Sequence, residues 1–140
     1  MSLECRFERV GPILYCVIDG AFSVAAAKAV YRLVLDECVA RGVTVLLLDC
    51  RGVEGSPTTM ERFDFAEFAA AETVAAVDAG RTTAPKVALV GTIPLIDPRR
   101  FGETVALNRG AWIKVTTELD EATQWLGLDP STLHAFAQTA

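Results

Sequence analysis

The chain has 140 residues, 51 % of them hydrophobic and 22 % charged, and a formal net charge of −5. That length and balance allow one domain with a real core and argue against intrinsic disorder. The acidic excess argues against nucleic acid, because Lys and Arg are scattered and Arg99-Arg100 is the only adjacent basic pair.

Apolar runs such as Val43 to Leu48 fall far short of the roughly 20 residues that cross a bilayer. Charge begins at Glu4, with no apolar stretch that could serve as an export signal. The expectation is therefore a cytoplasmic protein with no integral membrane segment and with reduced cysteines. Cys5, Cys16, Cys38 and Cys50 show no Cys-x-x-Cys spacing, and His134 is the only histidine. A zinc site needs several such ligands close together, so no metal or other cofactor is expected. The cysteines read as fillers of small apolar gaps.

Residues 3–9 alternate, with Leu3, Cys5 and Phe7 against Glu4, Arg6 and Glu8, the period of a half-buried strand. Gly11-Pro12 makes a turn into a second strand at residues 13–18, apolar on both faces and therefore central. The short link predicts an antiparallel hairpin. Gly20 breaks the second strand, and Ser23 is an N-cap for a helix running to Arg41. Lys28, Arg32 and Asp36 mark its wet face and Ala27, Val30, Val34 and Cys38 its inner one, with Gly42 as the stop. Residues 43–48 form a buried strand ending at Asp49.

Ser56-Pro57, Asp97-Pro98 and Asp129-Pro130 each set a capping side chain before a proline at a first helical position. They predict helices at residues 57–77, 98–108 and 130–137. Strands at residues 86–90 and 112–115 lie between them, and Thr117 with Asp120 caps a helix at 118–126 that Gly127 ends. The order β-β-α-β-α-β-α-β-α-α implies right-handed crossovers and a mostly parallel sheet covered by helices.

Several strings in this order carry a family likeness. Val17-Ile-Asp-Gly20 and Leu46-Leu-Leu-Asp49 come first, then Lys86-Val-Ala-Leu-Val-Gly91 and a helix ending Asn108-Arg109-Gly110. Ala111-Trp-Ile-Lys-Val-Thr116 and Asp120-Glu-Ala-Thr-Gln-Trp-Leu126 complete them. Over residues 3–128 the chain resembles the bacterial SpoIIAA-like family, related in fold to STAS domains, the anti-sigma-factor antagonists, and to CRAL-TRIO lipid-transfer domains. The resemblance implies a βα superhelix: a five-stranded, mostly parallel sheet in sequential order with an antiparallel first strand. It also implies non-catalytic roles, namely partner binding, phosphorylation-controlled switching or holding a lipid-like molecule. STAS switch proteins carry a serine soon after the aspartate that ends the third strand. Here Cys50 and Arg51 follow Asp49, and Ser56 comes later.

Ligands of open parallel sheets sit beyond the carboxyl ends of the strands. That rim gathers Asp49, Arg51 and Ser56 after one strand and Arg99 and Arg100 after the next. With the helix starts at Pro57 and Pro98 they could hold an anion; alternatively Ser56 and Asp97 cap helices, Asp49 caps its loop and the arginines are solvated. Met60, Phe63, Phe65 and Phe68 place large apolar groups on more than one face of the second helix, which can bury only one stripe against a sheet. The surplus must meet the Ile93-Pro94-Leu95-Ile96 loop, a second subunit or an apolar ligand; internal packing of loop on helix is the alternative to a groove.

No nucleophile elbow or phosphate-binding glycine loop is present, and the chain reads as a non-enzyme. The leading expectation is a regulatory or scaffolding module that binds a protein partner, with a homodimer as the expected assembly. The alternative is a carrier or sensor of a lipid-like or other apolar small molecule, held by Phe63, Phe65, Ile93 and Leu95. A thiol chemistry at Cys50 is a third reading.

Overall fold

The computed structural model describes residues 3–129. The predicted helix at 130–137, with His134, lies outside them. The elements in chain order are β1 (Leu3–Val10), β2 (Ile13–Ala21), α1 (Val24–Arg41), β3 (Val45–Glu54), α2 (Thr59–Asp78), β4 (Lys86–Val90), α3 (Phe101–Asn108), β5 (Trp112–Thr116) and α4 (Leu119–Leu126). The strands form one sheet in the order β1-β2-β3-β4-β5. β1 pairs antiparallel with β2, and the other three pairings are parallel. This is the α/β layout expected from the sequence.

β1 alternates between half-buried and exposed residues, as an edge strand with one wet face must. α1 is capped by Ser23, whose side chain accepts from the Ala26 amide, and ends at Gly42 with φ 66°. Its inner residues Ala27, Val30, Val34 and Cys38 are all buried.

Five of the differences from the expected boundaries have a physical reading. β2 continues through Gly20 to Ala21, with a register irregularity between Val17 and Asp19 against β3. β3 does not stop at Asp49 but runs on to Glu54, because Gly52 and Val53 still pair with β2. A Cβ at Gly52 would fall 1.9 Å from Asp19 Oδ1, so any larger residue there would displace the exposed Asp19 carboxylate. α2 begins at Thr59, not Pro57. Thr58 is its cap, in a reciprocal box: Thr58 Oγ1 accepts from the Glu61 amide at 3.1 Å, and the Thr58 amide donates to Glu61 Oε1 at 2.8 Å. α3 begins at Phe101, not Pro98, because Arg100 sits at φ 55°, outside the helical region. Asp97 still accepts from the amides of Arg99 and Phe101, so it closes the turn before the helix. α4 starts one residue later than expected, and Thr116, not Thr117, accepts from the Glu118 amide.

The two faces of the sheet carry separate cores. On one face Leu14, Cys16, Ile18, Leu46, Leu48 and Val87 pack against Val30, Val34 and Cys38 of α1. On the other, Ile13, Tyr15, Val17, Leu47, Ala88 and Val90 pack with Ala122 and Leu126 of α4. α3 lies over β5 on the α1 side. α2 packs on α1 and α3 rather than directly on the strands. Its buried residues are correspondingly small or polar: Ala66, Ala70, Thr73 and Ala76.

Candidate functional site

The parallel strands end on one rim, where the segments after β3 (residues 55–58) and after β4 (residues 91–100) lie beside the start of α2. Arg62 joins them: its guanidinium donates to the backbone carbonyls of Pro94 and Leu95. This clasps the segment after β4 onto the first turns of α2. Ile96 completes the fit, buried against Gly91, where any side chain would strike it at 2.9 Å. Close to these residues in the chain, two large apolar side chains are exposed: Met60 at 71 % and Ile93 at 58 %.

The residues read from the sequence divide into three groups. Asp49 is not a loop cap. It lies buried inside β3 and points to the α4 side, where the Tyr15 hydroxyl donates to Oδ2 at 2.5 Å. Arg51 donates twice to the same carboxylate, at 2.8 and 2.7 Å, and its amide adds a third bond at 3.2 Å. Burial pushes the Asp49 pKa up, but the Arg51 and Tyr15 hydrogen bonds outweigh it and hold the group below its ordinary value. Burial and the neighbouring carboxylate both push the Tyr15 hydroxyl upward, so it stays protonated. An ionised acid, a neutral phenol and a guanidinium that share one set of bonds make a satisfied structural network.

Ser56, Arg99 and Ile93 form the second group, exposed on the rim. With Thr58 capping α2, Ser56 caps nothing. Because β3 extends to Glu54, Ser56 is the second residue after the strand, the setting in which Cys50 and Arg51 had been placed. Arg99 makes no ion pair with the described residues.

Phe65, Leu95 and Arg100 are the third group, bordering a partly open cavity under α2. Phe63 does not reach it: Phe63 packs in the cluster of Val105 and Ala106 and lies 5.1 Å beneath the Arg109 guanidinium. The surplus phenylalanines of α2 are thus largely absorbed inside the fold. Phe65 meets Tyr31 edge to face at 6.2 Å, and Phe68 lies under Lys28 and Arg32. Sequence reasoning missed Arg62, which no spacing rule marks, and Thr58, which the Thr-x-x-Glu pattern of residues 58–61 signals.

Cys50 is buried, and burial followed by the adjacent Asp49 charge drives its thiol pKa upward. That shift disfavours the thiolate on which the thiol reading depends. Among the described residues no three His, Cys, Asp or Glu side chains converge to hold a metal ion. No helix among them is long and apolar enough to cross a membrane.

The chain matches no family model and no curated protein. Its fold does have solved counterparts. One is an uncharacterised protein with a SpoIIAA-like fold from Shewanella loihica, with TM-score 0.49 and 17 % identity over 89 % of this chain and 94 % of that one. Another is an anti-sigma factor antagonist from Mycobacterium paratuberculosis, with TM-score 0.56 and 17 % identity over 90 % of this chain and 95 % of that one. Strand order, the antiparallel first strand and the alternation of helices make up the fold that this chain shares with the anti-sigma factor antagonist.

Proposed function

We propose that the chain is a non-catalytic, STAS-like regulatory module that binds a protein partner at the carboxyl rim of its sheet. The observation that carries this reading is the exposure of two large apolar side chains, Met60 and Ile93, on the two segments that Arg62 joins. The same rim is one edge of a fold shared with an anti-sigma factor antagonist. Exposed apolar groups beside the exposed cation of Arg99 suit a partner segment that sets an apolar side chain next to an acidic one. Ser56 stands at the same edge, so a negative charge placed there would oppose such a segment. A cytoplasmic setting and a second copy of the chain as partner are both compatible with this reading.

The test is a photo-crosslinking residue at position 60, compared with one at Leu33, which is 54 % exposed on α1. In a lysate of the source organism, position 60 should give one adduct of defined mass. Unlabelled wild-type protein should compete for it and Ile93→Asp protein should not. An adduct of twice the chain's mass identifies the partner as a second copy. Equal labelling from both positions, or no adduct from position 60, defeats the proposal.

A further inference from the structure

Because α2 stands on α1 and α3, it does not settle onto the strands, and a cavity of about 160 Å³ remains beneath it. Its floor is Leu48, Cys50 and Leu89 of the sheet, and its roof is Phe65, Ala66 and Ala69 of α2. Leu95 and Ile96 close one end.

Polar side chains border this space, yet apart from Arg62 Nε, a buried donor without an acceptor among the described residues, most of their polar groups are turned to other partners. The Tyr31 hydroxyl is shared with Thr73 at 2.5 Å. Asp97 accepts two backbone amides, and Glu103 accepts the amide of Val115. The Arg100 guanidinium lies 3.7 Å from Glu121, and Arg62 holds the Pro94 and Leu95 carbonyls. A buried water needs two to four polar partners, and an apolar void of about 150 Å³ stays dry and accepts a molecule the size of benzene. The roof and floor therefore offer shape and apolar contact, with little to solvate a charge.

We infer that this cavity is a binding site for one uncharged, apolar molecule of single-ring or six-carbon size, admitted past residues 92–97 when Arg62 releases them. A space of this volume suits a small molecule rather than a whole lipid. The route follows from the contacts: Leu95 and Ile96 are lining residues on a segment outside the strand ladder, whereas the floor belongs to paired strands. The site stands independently of the partner proposed above.

The test uses purified full-length protein and three probes: toluene, cyclohexane and benzoate. Toluene should produce saturable amide shifts at Ala66, Ala69 and Ile96 but not at Leu47, with a rise of a few degrees in Tm. Cyclohexane should compete with it, and benzoate should bind at least tenfold more weakly. Ala69→Leu places a side chain in the void, and should abolish the shifts while keeping Tm at or above wild type. The milder Ala66→Val should weaken binding severalfold. No saturable shift with toluene, benzoate binding equal to toluene, or unchanged toluene binding in both variants overturns the inference. So does a Tm loss of several degrees in both variants, because overpacking reports that no void was there.

Discussion

The two faces of the sheet bury their surfaces by opposite means. The face under α4 contains a charge: Asp49, 4 % exposed, with Tyr15 and Leu47 both at 0 % beside it. The face under α1, α2 and α3 is lined by apolar side chains, yet it is the hollow one. Apolar composition and complete packing are therefore separate achievements. A buried carboxylate forces its neighbours into fixed hydrogen-bonding positions, and the packing there closes around them. On the other face the constraint is a helix held off by its neighbours, and apolar side chains tolerate the gap at a modest cost per unit volume.

Adjacent leucines test this contrast most directly. Leu47 faces the filled side and Leu48 the hollow one. Leu47→Ala should cost about 4 kcal/mol, near the upper end for such truncations, and Leu48→Ala about 2 kcal/mol, because Leu48 already lacks partners on its cavity side. Urea denaturation of both variants measures the difference, and equal losses would erase the distinction between the faces.

Next in size is Asp49→Asn, which keeps the shape but removes the charge that Arg51 holds; about 1–2 kcal/mol should be lost near neutral pH. The pH dependence sharpens it. The folded-state pKa of Asp49 is lowered, so its contribution is complete above the unfolded value near 3.9 and disappears as pH falls through the folded one. The stability gap between wild type and Asp49→Asn should accordingly narrow below about pH 4. A gap that widens in acid would mean the carboxylate is not stabilised by its partners.

Thr58→Ala removes the α2 cap and should cost about 1 kcal/mol. Because α2 lacks broad contact with the strands, this loss should be seen as faster amide exchange in the first turns of α2 rather than across the sheet. The smallest effect belongs to the outer wall of the hollow face. Glu72 pairs with Arg32 at 2.8 Å on the surface, and Glu72→Ala should cost less than about 0.5 kcal/mol and fade further in salt.

Much of the architecture could be read from residue order. The alternation of β1, the Ser23 cap, the buried stripe of α1 and the Gly42 stop are local signals, and each is where the pattern put it. The misread boundaries have one cause: a polar residue can end an element or be paired inside it, and only the tertiary partner decides. Asp49 reads as a strand end until Tyr15, 34 positions earlier, supplies its hydrogen bond. Ser56-Pro57 reads as a helix start until the reciprocal bonds of Thr58 and Glu61 move it two residues on. Excess phenylalanine on α2 correctly signalled more than one buried face, but the cavity depends on how far α2 stands from the strands. That distance is set by contacts with two other helices and leaves no periodic trace in the chain.

The clasp after β4 has a thermodynamic consequence. Arg62 Nε is a buried donor without an acceptor among the described residues, and such a group costs about 1–3 kcal/mol. That debit partly offsets the two carbonyl bonds, so the fastening is easily undone. The fastened segment carries Ile93 outward and Ile96 inward. Were the segment to move as one body, both side chains would shift together, and any influence of the interior end on the outer surface would be matched by an equal influence in return.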